Sequence, residues 1–207
     1  MAARPGKGRS LAAGLLAFAF VAFAVAGGSA RAQPSPPSGA TPTDAHPGDA
    51  LTVSLLTFGP GDHPFFKFGH NAILVEHGDG RGAVYNFGMF DFSSPALIPK
   101  FILGRSHYWL GRTERDRTIA GYIEDDRTVE IDRLDLPAAA RWDLFQRLEE
   151  NARPQNREYL YDYFTDNCST RVRDALDLTV GGRLRAAGKA AEARLSYRAH
   201  ALRLVAD

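Results

Sequence analysis

The chain has 207 residues, with 25 lysines and arginines against 24 aspartates and glutamates, for a formal net charge of +1. That near-balance provides none of the basic surplus with which a protein follows nucleic acid. A single cysteine excludes an internal disulfide framework, and a chain of this length fills one hydrophobic core but is short for two.

Residues 1–32 read as an export signal. Arg4, Lys7 and Arg9 form a basic start, Leu11 to Ala26 is apolar apart from Gly14, and Ala30-Arg31-Ala32 offers small residues to a signal peptidase. At 16 residues the apolar run is short for a membrane span, with an uncleaved anchor as the alternative. Cleavage after Ala32 removes four basic residues and no acid, leaving 175 residues and a charge of −3. Residues 33–49 carry five of the twelve prolines among Ser, Thr, Gly and Ala, and predict a disordered tether in which His46 is simply solvated.

The folded part is expected from about residue 50 to 207. Leu51–Phe58 is a buried-type strand, ended by Gly59-Pro60-Gly61-Asp62. His70–Val75 predicts a second strand and Ala83–Phe87 its partner, across a hairpin turn at Gly78-Asp79-Gly80. A loop rich in glycine and aromatics follows to Ser94, then a short helix around Pro95–Leu103 and a strand over Ser106–Gly111. Arg115–Ile123 leans to helix and Thr128–Leu134 alternates as a strand. Pro137–Ala152 has helical spacing, with Leu144, Phe145 and Leu148 on one face. The basic, Ala-rich tail from Gly182 is expected to be helical in part. No internal repeat is visible.

The stretch Tyr159 to Asp177 holds Cys168. Aromatic and polar residues alternate from Tyr159 to Phe164, predicting a strand. A helix is expected to begin near Cys168, with Asp166 or Asn167 as N-cap and Val172, Ala175 and Leu176 on the cysteine's own face. A thiol in the first turn of a helix lies at the positive end of the helix dipole, which favours the thiolate. The plain alternative is a small buried hydrophobe. The polar neighbours Asp166, Asn167, Ser169 and Thr170 argue against that, and favour a nucleophile.

A thiolate nucleophile needs a base. His63 and His77 lie in a loop and at a hairpin tip and are expected to face solvent. His107, beside Tyr108 and Trp109, is expected to be packed and hydrogen-bonded, and His200 belongs to the tail. His70 opens an apolar strand directly after Gly69, where a backbone or substrate can approach closely, and leads on position. The spacing of seven among His63, His70 and His77 matches no metal-ligand pattern, so no metal and no other cofactor is expected. The sequence has no phosphate-binding glycine loop and no serine elbow.

Four separated stretches together resemble the N-terminal periplasmic domain of the Lnb family, named for the bacterial lyso-form lipoprotein N-acyltransferase. They are Thr57-Phe58-Gly59-Pro60-Gly61, Phe68-Gly69-His70-Asn71, Tyr85 to Phe92, and Asp166-Asn167-Cys168-Ser169-Thr170-Arg171. The similarity runs from about Leu51 to the end of the chain. It implies an α+β, permuted papain-like (NlpC-type) fold, also seen in relatives of lecithin:retinol acyltransferase, in which an antiparallel sheet packs on a Cys-bearing helix. It implies Cys168 as nucleophile, His70 as base, and Asn86 as the orienting third residue, with Asp91 second. Family members continue past the equivalent of His200 with further helices, whereas this chain stops at Asp207.

The expected function is therefore that of a periplasmic or envelope enzyme acting on a lipid or lipoprotein ester at the membrane surface through a thioester. The alternatives are a cysteine amidase acting on cell-wall peptide and a non-catalytic envelope-binding module that docks through Tyr85–Phe92.

Overall fold

The computed structural model describes residues 45–63, 66–91, 93–191 and 195–204. The described residues all fall in the second of the chain's two units, Pro42–Asp207. The expected signal and the tether up to residue 44 lie outside the described residues.

The second unit is α+β. Six strands form one sheet: β1 Leu51–Phe58, β2 His70–His77, β3 Gly82–Met89, β4 His107–Glu114, β5 Val129–Arg133 and β6 Glu158–Leu160. Their order is β5-β1-β2-β3-β4-β6, and every pairing is antiparallel. The helices are α1 Leu97–Ile102, α2 Arg115–Glu124, α3 Ala138–Asn151, α4 Cys168–Thr179, α5 Arg183–Ala190 and α6 Tyr197–Leu204.

The central strands are buried on both faces, which is why Ala72 to Val75 reads as an unbroken apolar run. On one face Val53, Ile73, Val75, Tyr85 and Phe87 meet Leu144 and Leu148 of α3 and Val172 of α4. On the other, Leu56, Phe58, Ala72, Leu74 and Val84 pack with Tyr122 of α2. Two layers of helix thus sandwich the sheet.

Four expectations are corrected. Structured chain is already present before residue 50. His46 accepts a hydrogen bond at Nδ1 from the Gly48 N–H and caps a 3₁₀ turn over Pro47–Ala50. Gly48 is buried against α3, where any Cβ would fall 1.9 Å from the Ala138 carbonyl oxygen. The expected strand from Tyr159 stops at Leu160, because the Asp162 carboxylate accepts hydrogen bonds from the N–H groups of Phe164 and Thr165 and from the Thr165 hydroxyl, folding the chain into a turn. His107 is exposed. In the β4–β6 register Tyr108 faces inward, so its neighbour faces out. His77, expected to face solvent, is half-buried with its ring edge-on to Phe145 at 5.3 Å.

Candidate functional site: a cysteine, a histidine and an asparagine at the end of the central strands

Cys168 is the first residue of α4, and Asn167 is its N-cap: the Asn167 side chain accepts from the Thr170 N–H, while the Thr170 hydroxyl accepts from the Asn167 N–H. The thiol is half-buried at the positive end of a twelve-residue helix. His70 is the first residue of β2, and its ring stacks on Phe58 at 5.9 Å and on Tyr122 at 6.3 Å. The cysteine, from the helix α4, and the histidine, from the sheet, meet where β2 begins and β3 ends.

Gly88 borders that meeting point in a backbone conformation that side chains rarely adopt. The β3–β4 pairing slips between Asn86 and Met89, a bulge of the kind that re-aims side chains. Gly88 sits within it at φ +92°. A Cβ there would lie 3.6 Å from Cys168 Cβ, 3.8 Å from His70 Cε1 and 3.8 Å from the Tyr159 hydroxyl. Gly88→Ala is expected to cost about 1–3 kcal/mol through backbone strain and to slow alkylation of Cys168. Thermal melting and reaction with iodoacetamide check both, and an unchanged rate would mean that the site does not depend on this backbone conformation.

Asn86 is buried in β3, and its side-chain carbonyl oxygen is hydrogen-bonded to His70 Nε2. A carbonyl oxygen can only accept, so Nε2 carries the proton and Nδ1 is left for the thiol. Burial pushes the Tyr122 hydroxyl up.

Burial also pushes the Cys168 thiol up, but it is outweighed by a hydrogen bond and positive charge from His70, the Asn71 backbone N–H and the Ser169 hydroxyl. The net result is a thiol lowered to about 7. Ser169 donates to Asn71 Oδ1 at 2.8 Å, and Asn71 Nδ2 donates to Thr57 at 3.2 Å. The residue following the histidine is therefore tied to the residue following the cysteine.

The structure brings three sequence-predicted residues together: Cys168, His70 and Asn86. Asp91, the second choice for the orienting role, is exposed, and its carboxylate turns back to accept from the Ser93 N–H and hydroxyl. Asn71 and Ser169 lay inside quoted motifs without an assigned role. Tyr122 was hidden in a segment whose helical character was ambiguous. Among the described residues, no three His, Cys, Asp or Glu side chains cluster as a metal ion would require.

The thiol opens into a cleft of about 1960 Å³, larger than the about 300–1,000 Å³ of a typical small-molecule pocket. Its lining includes Met89, Phe90, Ile98, Phe101 and Ile102, together with the arginines Arg112, Arg117 and Arg127 and the carboxylates Glu114, Glu124 and Asp125. Ile73 to Val75 lie fully within the core and offer a substrate no surface. Arg171 and Arg173, which follow the cysteine on α4, are paired with Asp166 and Asp174.

Residues 40–205 match the family model for the Lnb N-terminal periplasmic domain. The chain belongs to that family. Cys168, His70 and Asn86 all fall within the matched span of the Lnb domain, and the family's description places this domain in the periplasm. No curated protein and no solved structure matches the chain. No helix among the described residues of this Lnb domain is long and apolar enough to cross a membrane.

Proposed function

We propose that this domain is a thiol acyl-transfer enzyme acting on a lipid or lipoprotein ester. The observation that carries the reading is the lowered thiol of Cys168, facing a His70–Asn86 pair at the mouth of an apolar-walled cleft. In the first step His70 Nδ1 takes the thiol proton as sulfur attacks the ester carbonyl. The tetrahedral oxyanion then collapses, the C–O bond breaks, and His70 returns the proton to the departing alcohol. That leaves a thioester on Cys168. An amine or water, deprotonated by His70, attacks the thioester carbonyl and releases the thiolate with the acyl group transferred. Backbone N–H groups of the first turn of α4 supply donors for the oxyanion. No cofactor enters these steps.

The His-before-Cys order, with the cysteine opening a helix packed on an antiparallel sheet, supports a permuted papain-like arrangement. The family resemblance favours the amino terminus of a lipoprotein as acyl acceptor. A cell-wall peptide would be cut by the same nucleophile. The apolar part of the cleft lining favours the ester, because each buried methylene contributes about 0.8 kcal/mol to holding an acyl chain. A silent binding module would have no use for a lowered thiol paired with an oriented histidine.

The test is incubation of the purified protein with a diacylated lipopeptide, followed by mass spectrometry of the Cys168 peptide. A hydroxylamine-sensitive acyl adduct is expected, and Cys168→Ala should abolish it. Cleavage of a cell-wall peptide, without adduct or acyl movement from the lipopeptide, would establish the amidase instead.

A further inference from the structure

Helix α1 contributes nothing to either core. Its sequence, Leu-Ile-Pro-Lys-Phe-Ile, is mostly apolar, yet none of its residues is buried. Ile98 is 50% exposed, Ile102 is 76% exposed, and Leu103, just past the helix end, is 66% exposed. Ile98 and Ile102 lie four apart, on one face, and both also line the cleft that holds Cys168. A contiguous apolar tip left in water by a folded domain marks an interaction surface.

The surrounding charge identifies the partner. Lys100 and Arg105 flank the tip, both exposed, and neither forms an ion pair among the described residues. The nearby carboxylate of Asp91 is turned toward Ser93. A second copy docking through the same patch would set cation against cation. An anionic lipid surface instead accepts apolar side chains between its acyl chains while basic groups reach its phosphates.

We propose that the tip formed by Ile98, Ile102 and Leu103 inserts into a bilayer containing anionic phospholipid, placing the mouth of the cleft against the leaflet that holds the substrate. The purpose of the insertion rests on the acyl-transfer reading, but insertion itself requires no chemistry. The two can therefore fail separately.

Because Cys168 is the only cysteine, Leu103→Cys in a Cys168→Ala background gives one unique site for a nitroxide spin label. The full chain is mixed with vesicles of phosphatidylethanolamine and phosphatidylglycerol, and collisions of the label with oxygen and with a nickel chelate are measured. Oxygen should dominate at position 103, as it does inside a bilayer. A label at Arg147→Cys, exposed on α3, should stay in water. This comparison is local, so a contribution from residues 1–32 to overall membrane binding does not enter it. Leu103→Asp should also lower turnover of a vesicle-borne ester about 10- to 100-fold, the loss of one buried leucine side chain. The rate at which iodoacetamide alkylates Cys168 should stay the same. An aqueous environment at position 103, equal burial at 147, or dipolar broadening between labels without vesicles (the mark of self-association) would each overturn the proposal.

Discussion

Alkylation of Cys168 by iodoacetamide is expected to reach half its maximal rate near pH 7, against about 8.5 for an unperturbed thiol. At pH 7 about half the folded molecules then carry a thiolate, where an ordinary cysteine would have about 3%. Burial alone would raise this thiol, and His70 is the foremost of the groups that bring it down. In His70→Ala the burial remains while its main opponent goes, so the half-point should move beyond pH 8.5. Acyl transfer should fall by about 10²- to 10⁴-fold, the usual worth of a positioned base. His107→Ala, altering an exposed ring at the start of β4, should leave the profile unchanged. The sign also applies to stability. The folded state holds the proton more weakly than the unfolded chain, so this contribution to stability is complete above about pH 8.5 and lost as the pH falls through about 7. A half-point that stays near 8.5 in the unaltered protein would end the nucleophile reading.

Phe58→Ala is expected to destabilise the protein by about 3–5 kcal/mol. The ring is almost fully buried and stacks on Tyr122 with centroids 3.6 Å apart. Tyr122 is in turn covered by the Arg127 guanidinium, 4.6 Å from its centroid. Removing Phe58 therefore opens the middle of a stack that also supports the His70 ring. For a domain of this size the melting temperature should fall by roughly 6–20 °C, and alkylation of Cys168 should slow well below the unfolding midpoint. Phe58→Leu keeps most of the volume and should cost about 1.5 kcal/mol or less. Equal losses in both variants would show that the bulk leucine retains does not hold the histidine in place, and that the stacked ring itself is required.

The strands and helices were legible because their signals are local. Glycine turns and apolar runs marked β1, β2 and β3, and the spacing of Leu144 and Leu148 marked α3. The thiol was legible because a polar N-cap stood directly before it. What escaped depends on contacts distant in sequence. That Ile73 to Val75 are covered on both faces is decided by helices that pack on them from beyond residue 115. Nothing in α1 itself reveals that its apolar residues stay outside. His107 and His77 changed places between buried and exposed because their burial depends on strand register and on a ring from α3, which no neighbouring residue encodes. The role of Asn71 shows only once β2 lies beside α4.

The hydrogen bond between Ser169 and Asn71 spans 98 positions of chain. Until β2 and α4 dock, Cys168 has neither its histidine nor its backbone donor, and it behaves as any cysteine in an unfolded polypeptide. The thiol would therefore stay dormant until the most distant parts of the chain have met. On the acyl-transfer proposal, folding itself would be the activating step, and a chain that stalls or misfolds would never carry an activated thiol.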